Sequence, residues 1–205
     1  RHLIGSGSEL SQMLVYTVST DDPPPATSEG YENPQPQRYY WRSLIYDVYT
    51  GQGWQSSPTT EMAFSPGALL IQQPETPGRY LVQKVDGAVD LNDLLYTAGL
   101  PVAADYPLSA LWRDPPEQGD WFAFTIPSRR YQAISWLAAA SAEDLRQAGD
   151  QYPQWLRQRY LQLPEDLPER VRQLAAQLTG EHSAPYDQAL AIESYLRRYP
   201  YTLDL

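Results

Sequence analysis

The sequence predicts an α+β fold, with a β-rich N-terminal domain over residues 1–137 and a helical segment over 138–205. Three observations carry that expectation. Most of the 19 prolines and five of the six tryptophans precede residue 140, so the two parts differ in texture. The first part offers many short apolar runs cut by turn residues, without a βαβ rhythm. Such punctuation favours a distorted sandwich or a partly open barrel over a parallel sheet. The second part repeats its apolar residues at helical spacing between capping signals.

Gln12–Ser19 is rich in apolar and β-branched residues and reads as a strand. Asp21-Asp22-Pro23-Pro24-Pro25 stops it, because consecutive prolines cannot extend a ladder. Ala26–Gln37, with Gly, Asn and Pro throughout, reads as an exposed loop. Arg38–Thr50 is the strongest strand signal, with Tyr40, Arg42, Leu44, Tyr46 and Val48 on one face and the alternate residues on the other. Gly51-Gln52-Gly53 makes a turn, from which Trp54-Gln55-Ser56 returns. Further strands are expected at Arg79–Asp86, Leu94–Ala98, Pro101–Ala104, Trp121–Ile126 and Tyr131–Leu137.

The helices follow. Ser141-Ala142-Glu143-Asp144 resembles a capping box, and Gly149 is the matching stop. Pro153 can open a helix because its missing N–H costs nothing in the first turn. Leu167, Val171, Leu174, Ala175 and Leu178 share one helical face that Gly180 ends. Pro185 opens a last helix with Tyr186, Ala189, Ile192, Leu196 and Tyr199 inward, closed by Pro200. Tyr201-Thr202-Leu203 then reads as extended. Arg1-His2 without a Met, and the apolar Leu203-Asp204-Leu205 end, read as a fragment of a longer protein.

Composition narrows the function. A net charge of -10 argues against nucleic acid as a partner, since phosphate backbones demand clustered cations. No stretch approaches the roughly 18 consecutive apolar residues of a membrane span. The absence of cysteine excludes a thiol nucleophile and cysteine-ligated zinc within these residues. His2 and His182 are too few for a multi-histidine metal site, and His182 reads as an exposed linker residue between two helices. The Asp86–Asp93 stretch lacks the alternate-position acids of a calcium loop and reads as a solvated turn. Arg129-Arg130 and Arg197-Arg198 read as solvated charges or ion-pair partners. No catalytic residue, metal ligand or cofactor is therefore expected in the chain.

The aromatic load is the feature left for binding. Most rings should be core or interdomain packing. Trp54 in its turn and Trp112 beside Arg113 are expected to be the most exposed, and Trp54, Trp112 and Trp121 are the candidate ligand-binding residues.

Several stretches taken together resemble a known pattern. Val15-Tyr16-Thr17-Val18 is followed by Asp21-Asp22-Pro23, then Tyr40-Trp41-Arg42, then Asp47-Val48-Tyr49-Thr50-Gly51-Gln52-Gly53-Trp54. Tyr160-Leu161-Gln162-Leu163-Pro164, Pro185-Tyr186-Asp187-Gln188-Ala189, Ile192-Glu193-Ser194-Tyr195-Leu196 and Arg198-Tyr199-Pro200-Tyr201-Thr202-Leu203 continue it. In this order they resemble the extracytoplasmic region of bacterial membrane-anchored transglutaminase-like proteins, with Thr50 standing where that family usually has Asp.

The resemblance implies a region outside the cytoplasm that precedes a papain-like catalytic core, with residues 163–205 forming the core's leading part. The Cys nucleophile and its His and Asp would lie downstream, where the thiol is activated by the imidazole. This chain would then be a non-catalytic accessory region whose main partner is the rest of its parent, tethered to the membrane only through the parent's helices. A protein or cell-wall polymer would be the parent's substrate. The alternative from the residues themselves is a carbohydrate or cell-wall binding module using exposed aromatics. A stand-alone carboxylate hydrolase is a third reading, since an acidic chain always offers paired carboxylates.

Overall fold

The computed structural model describes residues 2–3, 13–23, 39–71, 76–113 and 120–200. The expected loop at Ala26–Gln37 and the extended Tyr201-Thr202-Leu203 lie outside them. Among the described residues strand content exceeds helix content, 35% to 22%, consistent with the expected α+β fold. In chain order the strands are β1 (His2–Leu3), β2 (Tyr16–Thr20), β3 (Trp41–Arg42), β4 (Val48–Tyr49), β5 (Gly53–Gln55) and β6 (Thr59–Phe64). They continue as β7 (Gly78–Gly87), β8 (Thr97–Ala98), β9 (Leu100–Ala104), β10 (Leu108–Arg113), β11 (Trp121–Thr125) and β12 (Arg130–Ala138). The helices are α1 (Ala142–Gln147), α2 (Gln154–Tyr160), α3 (Glu169–Thr179) and α4 (Pro185–Leu196).

The chain forms two compact units. One comprises Gln12–Ile45 and Pro58–Ala139, the other Arg1–Ser11, Tyr46–Ser57 and Ala140–Leu205. The first is β-rich. Its largest sheet is antiparallel with the order β2-β7-β12-β9, and a second has the order β11-β10-β6. A two-stranded ribbon pairs β3 with β8. Along β7, Leu81, Gln83 and Val85 point inward while Lys84 and Asp86 face solvent, the period-2 pattern of a half-buried strand. One apolar core draws on both larger sheets: Val85, Val102 and Ala133 from the first, Leu108, Ala110 and Phe124 from the second. The buried amide of Gln83 is satisfied, accepting from the Ala98 N–H at 3.1 Å and donating to Ser135 Oγ at 3.4 Å.

Tyr131 fastens β12 to the loop ahead of β8. Its hydroxyl accepts from the Tyr96 N–H at 2.8 Å and donates to the Tyr96 carbonyl at 3.1 Å. Burial pushes its pKa up to about 12, the hydrogen bond from Tyr96 opposing this in part. A folded-state pKa above the unfolded one means that the neutral phenol stabilises the fold below pH 10. That contribution, at most about 2–3 kcal/mol, is lost as pH rises through about 10 to 12. Urea unfolding across that range is expected to show a steeper alkaline decline for the wild type than for Tyr131→Phe. Parallel declines would contradict the linkage.

Three strands escape a reading of the sequence, the first being the two-residue β1. β6 is exposed along nearly all its length and so shows no alternation, and β10 is a six-residue strand between Pro107 and the Pro115-Pro116 pair. The long strand expected at Arg38–Thr50 is corrected. Trp41 pairs with Ala98, Leu44 bridges to Ala123, and Val48 pairs with Gln55, so one segment serves three partners in turn. Polar anchors break the ladder between them. The Ile45 N–H donates to the Phe122 carbonyl at 2.9 Å, and the Ile45 carbonyl is taken by the Arg113 guanidinium.

The second unit holds a small sheet, β1-β5-β4, and the four helices. Gly51, with φ of 78°, makes the turn between β4 and β5, and the Thr50 N–H donates to the Gly53 carbonyl at 3.0 Å. α1 begins with a complete capping box: the Asp144 N–H donates to Ser141 Oγ at 3.1 Å, and Ser141 N–H to the Asp144 carboxylate at 2.8 Å. The Ser141 hydroxyl, which donates to the Asp144 carboxylate at 2.6 Å, and then the Ser141 N–H hold that carboxyl below its ordinary pKa. Arg146 joins α1 to α4 through Asp187 at 3.0 Å, with its guanidinium over the Tyr186 ring at 5.3 Å.

Candidate functional site

The three tryptophans are not brought together. Trp54 lies on β5 in the helical unit, 44% exposed, with its ring 5.1 Å from that of its cross-strand partner Tyr49. Trp112 and Trp121 lie in the β-rich unit as direct partners on β10 and β11. The exposure expected of Trp112 has to be corrected. Trp121 is 3% exposed and belongs to the core, and Trp112 is half-buried against it and Phe124, edge to face at 5.9 and 6.4 Å. The reason is Arg113, which is 0% exposed. Its Nη1 donates to Asp120 Oδ1 and to the Trp121 carbonyl, both at 2.9 Å, and Nη2 donates to the Ile45 carbonyl. A guanidinium with that many acceptors tolerates burial, and it takes the end of the hairpin inward with it. No signal in the sequence distinguishes this arginine from a solvated one.

The arginine pairs behave as surface charges: Arg130 meets Asp86 at 2.9 Å and Arg197 meets Glu193 at 2.7 Å. His182 is exposed between α3 and α4. In the acidic stretch the Asp90 side chain accepts from the Asn92 N–H at 2.8 Å, an Asx turn.

Two features have the geometry of interaction sites. The first is the helical unit. The stretches Asp47–Trp54 and Tyr160–Pro164 meet there: Gln162 Nε2 donates to the Asp47 carbonyl at 2.9 Å. The Asp47 carboxylate, 2% exposed, accepts from the backbone and hydroxyl of Ser57. Beyond this anchor, α1 to α4 hold no buried residue among the described residues. Leu161, Leu163, Val171, Leu190, Leu196 and Tyr199 are all exposed. An amphipathic helix gains its stability by burying its apolar stripe, and these stripes are only partly covered.

The second is a groove in the β-rich unit of about 730 Å³. Tyr39, Tyr40, Arg42, Arg79, Leu100 and Trp136 are among its walls. Tyr40 is 89% exposed. Trp136 stands edge to face with Tyr80 at 5.0 Å and lies against Gly78, where a Cβ would come within 2.6 Å of the indole. Arg79 is committed to Asp22 at 2.7 Å, and Asp22 also accepts from the Tyr39 hydroxyl. The Arg42 side chain makes no hydrogen bond or ion pair among the described residues, and partial desolvation lowers its pKa from the usual arginine value. Sequence reasoning put Tyr40 and Arg42 on one strand face but did not bring Trp136 to them, because that contact depends on β3, β12 and the turn at Gly99.

No protein-family description matches the chain, and no solved structure matches it. It is 28% identical, over 221 aligned residues, to the uncharacterized protein YebA of Bacillus subtilis (strain 168). The alignment covers 98% of this chain and 28% of that protein, so the chain spans less than a third of the relative's length. No helix among the described residues is long and apolar enough to cross a membrane.

Proposed function

We propose that this chain is a non-catalytic extracytoplasmic accessory region of a membrane-anchored, transglutaminase-like protein. The observation that carries the reading is the open helical unit, whose four helices bury nothing fully and leave apolar side chains in water. Exposed apolar patches of this kind are interaction surfaces, and here further polypeptide of the same parent is the partner. The anchor of Gln162 on Asp47 supports the reading because it joins two stretches that carry the family resemblance. The much greater length of the Bacillus relative is compatible with a long parent. The β-rich unit, with a core drawn from two sheets, is read as a distorted sandwich that positions or shields the catalytic core. The parent's chemistry would be acyl transfer or amide hydrolysis through a thioester on a downstream cysteine.

The test is the longer protein. Continuing past Leu205, the reading frame is expected to encode one Cys and then His and Asp. In that protein, amide exchange in α3 and α4 is expected to slow relative to the 205-residue chain, and thiol alkylation to abolish activity. A continuation without those three residues, or turnover of peptide or glycan substrates by the 205-residue chain itself, would overturn the proposal.

A further inference from the structure

The groove beside β3 and β12 has a different character from the helical surface, and its contents select a ligand. Its walls combine an almost fully exposed phenol ring at Tyr40, the indole of Trp136 and the apolar Leu100 with the guanidinium of Arg42. The other cation, Arg79, is neutralised by Asp22. In a protein of net charge -10, Arg42 is a cation at an aromatic wall whose side chain meets no carboxylate among the described residues. A guanidinium in that setting favours an incoming carboxylate, which it can bind with two parallel hydrogen bonds.

The aromatic faces define the rest of the ligand. Their apolar surfaces are complementary to the C–H face of a sugar ring, with hydroxyls left at the polar rim. An added peptide strand fits less well, because β12 is already paired on one edge with β7 and on the other with β9. Pro101, opposite Ser135, has no N–H to offer. A polynucleotide would demand several uncommitted cations along its backbone, whereas the groove supplies Arg42. The volume of about 730 Å³ lies in the range that holds a small ligand or a short length of chain.

We propose that this groove binds a carboxylate-bearing glycan, with Arg42 on the carboxylate and Tyr40 and Trp136 against the sugar rings. The site is independent of the accessory role of the helical unit, and its test separates the two.

The probe is a short oligogalacturonate, titrated calorimetrically into the 205-residue chain, with neutral dextran and poly-glutamate as comparisons. Binding of the oligogalacturonate is expected, with at least tenfold weaker binding of both comparisons. Arg42→Gln and Tyr40→Ala are each expected to weaken it about tenfold, the equivalent of about 1.4 kcal/mol. Tyr40 is 89% exposed, so its replacement should leave the melting temperature unchanged and supplies the measurement if Arg42→Gln perturbs folding. Absence of binding, equal binding of poly-glutamate, or an affinity unchanged in Tyr40→Ala would overturn the site. None of these results bears on whether a cysteine lies downstream.

Discussion

Asp120→Ala is expected to destabilise the protein by about 3–5 kcal/mol, because it leaves the Arg113 guanidinium buried without its carboxylate. Both side chains are fully buried, and their 2.9 Å contact closes the β10–β11 hairpin beside the Trp121 carbonyl. The same guanidinium fixes the Ile45 carbonyl, so the lost charge partner also loosens the segment that leads on from β3. Replacing both partners with apolar residues, Arg113→Met with Asp120→Leu, is expected to recover much of the loss, since a buried pair offsets its own desolvation rather than adding a large surplus. Urea denaturation of the three proteins measures this. A loss below about 1 kcal/mol for Asp120→Ala would mean that solvent reaches the guanidinium and that the pair behaves like a surface one.

The second large effect is expected at Gly99. A Cβ there would lie 2.4 Å from the Trp136 carbonyl oxygen, a backbone atom that cannot swing away, and 2.8 Å from Leu137 Cδ2. The residue also has φ of 75°, where an L side chain is strained. Gly99→Ala should therefore cost about 2–5 kcal/mol, the sum of left-handed strain and overpacking. Gly67 is the control. Its φ is 73°, but nothing lies within 4 Å of its added Cβ, so Gly67→Ala should show the strain alone, about 1–2 kcal/mol. Equal losses at the two positions would mean that β12 gives way and that the close approach is soft. Gly99 also lines the groove, so this variant is unsuited to testing ligand binding.

Legibility followed how local each cause is. The capping box at Ser141, the proline starts of α2 and α4 and the alternation of β7 and β12 are set by neighbours in sequence, and each lies where the residues place it. The Arg38–Thr50 segment departs from one long strand because its pattern of rings describes which face is apolar, not which strand it meets. Its breaks come from Arg113 and Ser57, residues far along the chain. The exposure expected of Trp112 differs for a related reason. Exposure of Trp112 was inferred from an adjacent arginine, but that arginine finds Asp120, Trp121 and Ile45 inside. The groove could not be read at all, since Arg42 and Trp136 are separated by most of the β-rich unit and only strand order brings them together.

The bond from Gln162 to Asp47 spans 115 positions of chain. On a ribosome, the hairpin of β4 and β5 emerges long before the partner that anchors it, and the larger segment of the β-rich unit, Pro58–Ala139, is synthesised in between. Closing so distant a contact is slow, because the loop entropy must be overcome before the contact repays it. The β-rich unit is then the piece able to mature first during translation, with the hairpin waiting on late-arriving polypeptide. Cutting the gene at residue 137 would strand that hairpin permanently, so neither half can be moved into another protein as an uninterrupted cassette.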